Sequence, residues 1–178
     1  MRIVYRVRQF WRTISLKTDP HKLEQAKDLL TAEQWELFLK LQPAEQSHAL
    51  AMYGKLLEQG ENQPELLVAA LLHDVGKQRY PMNPIERTMV VLVKALVPGQ
   101  ARWWGSLPPD GWDNLPGWRK AFIVAGQHAD WGAQMARAAG VSPLTESLIR
   151  EHHDLPCREV EVNENSLQRK LWLVDNES

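Results

Sequence analysis

Leu66-Leu67-Val68-Ala69-Ala70-Leu71-Leu72-His73-Asp74-Val75-Gly76-Lys77 is the stretch that decides how this chain is read. An unbroken apolar run ends in an adjacent His and Asp. As a helix, the run is apolar on every side, so it belongs in the interior. A buried carboxylate is tolerated only when it is neutralised, paired or bound to metal. A structural His–Asp hydrogen bond is one reading of the pair, and a ligand set is the other. The choice turns on where the remaining histidines fall.

Outward from this helix, the chain reads as helices throughout. Pro64 opens the apolar helix and Gly76 is its expected C-terminal stop. Upstream, Asp19-Pro20 starts a helix to about Leu30, Thr31 with Gln34 forms a capping box, and Pro43 opens a helix that carries His48 and stops at Gly60. Downstream, Asn83-Pro84-Ile85-Glu86 starts a helix to about Val97, whose Met89–Val93 run suggests deep burial. From 98 to 118, prolines and glycines alternate with Trp103, Trp104, Trp112 and Trp118, which reads as a long loop. It is a lid or aromatic substrate platform on one reading, and a Trp-rich minicore or dimer surface on the other. A helix resuming near Trp118 is expected to break at Gly126-Gln127-His128, with a second from Ala129 to Ala139. Ser142-Pro143 starts the helix that ends in His152-His153, and Asn163 caps a last one closing at Asp175. No stretch alternates with period two. The expectation is an all-α, single-domain bundle over 1–178, with its core at 43–175.

Composition narrows the partners. The chain has 178 residues, 44% hydrophobic content and a formal net charge of −1, which describes a globular protein with no general attraction to nucleic acid. The single cysteine, Cys157, excludes an internal disulfide and fits a reducing, cytoplasmic setting. No run approaches the ~20 apolar residues of a transmembrane helix. Residues 1–17 carry Arg2, Arg6, Arg8, Arg12 and Lys17 with Ile3, Val7, Phe10 and Ile14 at helical spacing. This is a basic amphipathic helix, a poor signal peptide, that either packs on the domain or contacts a membrane surface or a second copy.

Of the six histidines, His48, His73, His128, His152 and His153 lie at helix ends or on helices expected to touch the core; His21 reads as solvated. Imidazole nitrogens with carboxylate oxygens and no thiolate suit Mn²⁺, Fe²⁺, Co²⁺, Ni²⁺ or Zn²⁺. From about Pro43 to Asp175 the chain resembles the HD-domain metal-dependent phosphohydrolases, closest to the subgroup that uses two metals. His48, His73-Asp74 and Asp175 match the family's ordered His, His-Asp and Asp. His73-Asp74-Val75-Gly76-Lys77 resembles its His-Asp-Ile-Gly-Lys form. His128 with Gly132 looks like its His with Gly four residues on, and His152-His153-Asp154 like its paired His followed by an acid.

The resemblance implies that His48, His73, Asp74 and Asp175 hold one divalent ion and that Asp74 bridges to a second, held by His128 and His152. It places His153 at the edge, near substrate phosphate or a third ion. Asp130 and Asp154 are alternative ligands should the helix of Asp175 fray. Lys77 either meets substrate phosphate as a point charge or is an ordinary solvated lysine. Leu155-Pro156-Cys157-Arg158 stands where cyclic-dinucleotide phosphodiesterases of the superfamily carry Gly-Tyr-Pro, which sets that substrate apart. The expected activity is hydrolysis of a nucleotide-like or other small phosphoester or phosphoanhydride by metal-activated water, with Asp74 and Lys77 at the reaction. The alternatives are a metal-stapled sensor or interaction module, and a di-iron oxygenase of the same superfamily.

Overall fold

The computed structural model describes residues 20–108, 111–153 and 167–177. The basic segment 1–17, Asp154, Cys157 and Asn163 lie outside them. Every regular element among the described residues is helical: α1 (Pro20–Leu29), α2 (Ala32–Leu39), α3 (Pro43–Glu58), α4 (Pro64–Leu72), a 3-10 turn (Val75–Arg79), α5 (Pro84–Leu96), α6 (Pro98–Gly105), α7 (Gly117–Ala138), α8 (Pro143–Glu151) and α9 (Leu167–Glu177). None of these helices is long and apolar enough to cross a membrane.

The starts and stops follow local chemistry. Thr31 and Gln34 close a capping box on α2, and Asn83 and Glu86 close one on α5. Proline stands in the first turn of α3, α4, α5, α6 and α8. Gly60 and Gly140 adopt φ of 80° and 77° beyond α3 and α7. At each, the residue after the glycine bonds back into the helix: Glu61 N donates to Leu56 O at 3.0 Å, and Val141 N to Ala136 O at 3.3 Å.

The apolar helix α4 is buried from Leu66 to Leu72, as its sequence requires. It forms one core with Phe38 of α2, Leu50, Met52 and Leu56 of α3, Ile149 of α8 and Leu171 of α9. A second core gathers Val90 of α5, Ala101 of α6, and Phe122 and Ile123 of α7. Helix α7 belongs to both, since Ala133 and Ala136 pack into the first.

Four expectations are corrected. The 98–118 segment is not one loop: Pro98 starts α6, and only 106–116 is irregular where described. Trp104 packs on Trp118 and Phe122, with ring centroids at 5.2 and 5.1 Å, and Trp112 on Trp131 at 5.1 Å. That is the minicore reading, although Trp103 stays 62% and Trp118 42% exposed. Second, α7 runs unbroken through Gly126-Gln127-His128. Gly126 marks a helix crossing: a Cβ there would stand 2.9 Å from Gly105 O. Third, α5 buries only Val90 fully; Ile85 is 80% and Leu96 69% exposed, because α5 packs by one face. Fourth, Gly76 is not the stop of α4, which ends at Leu72 before His73 and Asp74 lead into the 3-10 turn.

Gly76 has a different use. A Cβ on it would collide with the carbonyl oxygen of His128 and come within 2.8 Å of Gly132 N. Gly132 itself lies where a Cβ would be 3.2 Å from Gly76 N. Two glycines thus let the 3-10 turn nest on α7, which brings Asp74 to His128. A Gly76→Ala variant is expected to lose about 2 kcal/mol or more in urea denaturation, since backbone must move to admit the methyl. Gly99→Ala, with open space around it, is expected to be neutral or slightly stabilising, by about 0.5 kcal/mol. Equal stability of the two variants would refute this account of the crossing.

Candidate metal centre

Six of the side chains singled out in the sequence meet at one place, carried by five separate parts of the fold. His48 lies on α3, His73 and Asp74 follow α4, His128 is midway along α7, His152 follows α8, and Asp175 is in the last turns of α9. His73, Asp74, His128 and His152 are buried, and His48 and Asp175 nearly so. Nitrogen and oxygen atoms of His48, His73 and Asp74 lie within 4.8 Å of one another, and so do those of His128, His152 and His153.

Asp74 stands between the two groups. Its Oδ2 is 3.4 Å from His73 Nε2, while its Oδ1 is 3.5 Å from His128 Nε2. On the first side, His48 Nε2 donates to Asp175 Oδ1 at 2.9 Å, and His73 Nε2 is 3.7 Å from that oxygen. On the second, the His128 and His152 ring centroids are 5.4 Å apart, and His153 Nε2 reaches to 3.0 Å from His128 Nε2. His153 stands at the solvent side of the cluster.

Whether these residues fit a metal is testable on the hydrogen bonds. His73 Nδ1 donates to Ala70 O at 3.0 Å, His128 Nδ1 to Val124 O at 3.0 Å, and His152 Nδ1 to Ile149 O at 2.6 Å. Each tether fixes the tautomer and turns Nε2 inward, as in metal-ligating histidines. The Nε2 atoms of His73 and His152 are buried and make no hydrogen bond. Buried polar atoms of this kind are rare, and they call for an ion or water. Nitrogen and carboxylate donors aimed at a shared space fit a divalent transition metal.

The electrostatics agree at Asp74, Asp175, His128 and His152. Burial would raise the Asp74 carboxyl, but Lys77, His73 and His128 together hold it well below the carboxylate range. Burial opposes ionisation of Asp175 too, and the hydrogen bond from His48 with the charge of His73 overrides it. Burial pushes His152 down to about 3, helped by the charges of His153 and His73, so its inward nitrogen keeps its lone pair. His128 is driven well below its usual range by burial and by Lys77. For His73 burial works the same way but is outweighed by Asp74, and the imidazole is raised.

Lys77 is half-buried and turns into the cluster: its Nζ donates to Asp74 Oδ2 at 2.6 Å. It therefore supplies positive charge at an oxygen that a metal would share. Asp130 is exposed and lies 3.6 Å from the Arg150 guanidinium, so it is no alternative to Asp175. His21 is exposed on α1, as expected.

One residue escaped the sequence reading. Glu45, one turn before His48 on α3, is buried and ion-paired to Arg87 of α5, whose guanidinium also bonds Gln42. Its charge helps to raise Lys77, after Asp74. An acid in the first turn of a helix reads as ordinary dipole chemistry; the available signal was the three-residue spacing that puts Glu45 on the face of His48.

No family model matches this chain, and no curated protein and no solved structure matches it.

Two measurements check the centre. Mn²⁺ or Zn²⁺ added to chelator-treated protein is expected to raise the melting temperature reversibly, by about 2.7 kcal/mol of stabilisation at a hundredfold excess over Kd. His152→Ala is expected to reduce that gain, and an unchanged melting curve in the wild type would reject the centre. The metal-free protein should also lose stability as pH falls below 6.5. There the unfolded chain takes up protons that folded His128 and His152 refuse, down to about pH 3 for His152. His73 acts oppositely, because its raised value contributes stability below 6.5 that is lost as pH rises through it. Below 6.5 His73 is protonated in both states and adds no slope, so His128 and His152 remain, each worth about 1.4 kcal/mol per pH unit; a flat urea midpoint from pH 6.5 to 4.5 would contradict it.

Proposed function

We propose that the protein is a metal-dependent phosphohydrolase that cleaves a phosphoester or phosphoanhydride of a small, nucleotide-like molecule. The observation that carries the reading is the position of Asp74, one carboxylate with an oxygen toward each of two histidine groups. The ordered resemblance of His48, His73-Asp74, His128, His152-His153 and Asp175 to HD-domain phosphohydrolases supports it. Two divalent ions bound by such a set would make a water nucleophilic at neutral pH and offset charge on a phosphoryl oxygen.

The chain's own residues supply the rest. His48 and His73 hold Asp175 and Asp74 as carboxylates on one side, and His128 and His152 present neutral nitrogens on the other. Lys77, one turn beyond Asp74, is the cation available to a phosphate oxygen when the Asp74 oxygens are engaged elsewhere. His153, at the solvent side, is placed to bind a phosphate oxygen. In the overall reaction, water adds to phosphorus, the bond to the leaving oxygen breaks, and that oxygen takes up a proton.

The same nitrogen and oxygen donors suit iron, which keeps an oxygenase as the second reading. Purified protein supplied with Mn²⁺ is expected to release phosphate or a nucleotide from a panel of phosphate esters and anhydrides. Asp74→Asn and His73→Ala should each lower the rate at least a thousandfold. Activity equal in both variants and wild type would sink the proposal. Oxidation of an organic substrate, dependent on bound iron and O₂, would replace it with the oxygenase.

A further inference from the structure

Helix α5 presents an apolar stripe to solvent. Ile85, Met89, Leu92 and Leu96 follow one another at three- and four-residue steps, so they share one face along the helix. Ile85, Leu92 and Leu96 are exposed, while Val90, on the other side, is buried in the second core. Pro84, Ile85, Thr88, Met89, Leu92 and Val93 line a shallow groove of about 440 Å³ on the exposed side. Ile85, Thr88, Met89 and Leu92 stand at i, i+3, i+4 and i+7, the corners of a hole that takes one side chain of a facing helix. Met89, Leu92, Val93 and Leu96 make a second such hole.

Charge decides what fits there. The stripe carries none, and each charged residue of α5 is engaged elsewhere. Glu86 accepts from Tyr80 Oη at 2.7 Å and from Asn83 N at 2.9 Å, Arg87 pairs with Glu45, and Lys94 Nζ donates to Ala125 O at 2.9 Å. An anionic lipid surface is met by lysines and arginines bordering the apolar face, and α5 directs both of its basic side chains into the fold. The basic segment 1–17 would bring positive charge to a groove with no acid to receive it. It also joins the described chain at the far side. Pro20 opens α1 near the C-terminal end of α3, where Lys22 Nζ is 3.3 Å from Glu58 Oε1. Helix α5 starts at the other end of that 16-residue helix, about 20 Å away, where Arg87 pairs with Glu45.

A second copy suits the stripe. Its positions read the same from either end: 85 with 96, 88 with 93 and 89 with 92 are pairs about one midpoint, between Val90 and Val91. Two α5 helices laid antiparallel about a two-fold axis set Ile85 against Leu96 of the partner subunit and Met89 against the partner's Leu92, each contact occurring twice. Uncharged side chains then meet only uncharged side chains.

We infer that the protein forms a two-fold dimer through the solvent face of α5, with the two helices antiparallel. The dimer goes beyond the phosphohydrolase reading and does not depend on it, since the stripe shares no residue with the histidine cluster. A strip about 20 Å by 10 Å is small beside the roughly 800 Å² a side of a standard interface, so the dimer is expected to dissociate on dilution.

Sedimentation velocity of the full chain, over a series from micromolar to submillimolar concentration, is the test. Wild type is expected to pass from monomer to dimer, and Leu92→Glu to remain a monomer throughout. Ile85→Glu and Leu96→Lys, both at exposed positions, should each weaken the dimer at least tenfold while circular dichroism stays at the wild-type value. With the two changes in one chain, opposite charges meet at both ends of the antiparallel pair, and the dimer should be tighter than with either change alone. A wild type that stays monomeric, a dimer indifferent to Leu92→Glu, or a double variant weaker than both single ones would each overturn the inference. Monomeric wild type that binds vesicles of anionic phospholipid, with binding lost in Leu92→Glu, would overturn it in favour of a membrane-facing helix.

Discussion

A single buried carboxylate governs this molecule. Asp74 lies at the end of an apolar helix, only 3% exposed, in a position where charge is tolerated only with company. Lys77, His73 and His128 provide that company in the folded chain. They come from the turn after α4 and from the middle of α7, so the interior is closed only when those elements meet. The glycines at 76 and 132 are what permit the meeting. Position, charge and packing are one constraint here, because moving Asp74 from α7 would leave its carboxylate in an apolar wall.

The other carboxylate extends the same logic to the last described helix. Asp175 reaches His48 and stands near His73, so α9 is held to α3 and α4 by polar atoms as well as by Leu171 and Val174. Glu45 and Arg87 repeat the device on the other flank of α3, toward α5. Each of the three acidic groups meets a nitrogen from another part of the fold: Asp74 at His128 of α7, Asp175 at His48 of α3, and Glu45 at Arg87 of α5. This explains why residues so far apart in the chain converge without a bound ion being needed to describe the fold.

Much of this was legible in the sequence. The unbroken apolar run Leu66–Leu72 identified the central helix because nothing else buries such a surface. The capping boxes at Thr31 and Asn83 and the prolines at helix starts are local chemistry, and local chemistry is written locally. Glycine was misread where it served contacts between helices. Gly126 and Gly76 look like breaks in one dimension, whereas in three they are places where backbones touch. The Met89–Val93 run was misread because hydrophobicity does not say how many neighbours a helix will have. The histidines were legible as a set, yet their tethers were not: Nδ1 bonds to backbone carbonyls, and every residue has one.

Those tethers have a consequence for how the centre can change. His73, His128 and His152 each lean on a carbonyl three or four residues earlier in their own helical turn. Each ring is therefore aimed by its own segment before the segments assemble. No exchange of a distant side chain removes the support, since backbone oxygens are common to all sequences. Adjustment of the pocket over time would thus come through how the helices are spaced and rotated, with the rings travelling as rigid parts of them.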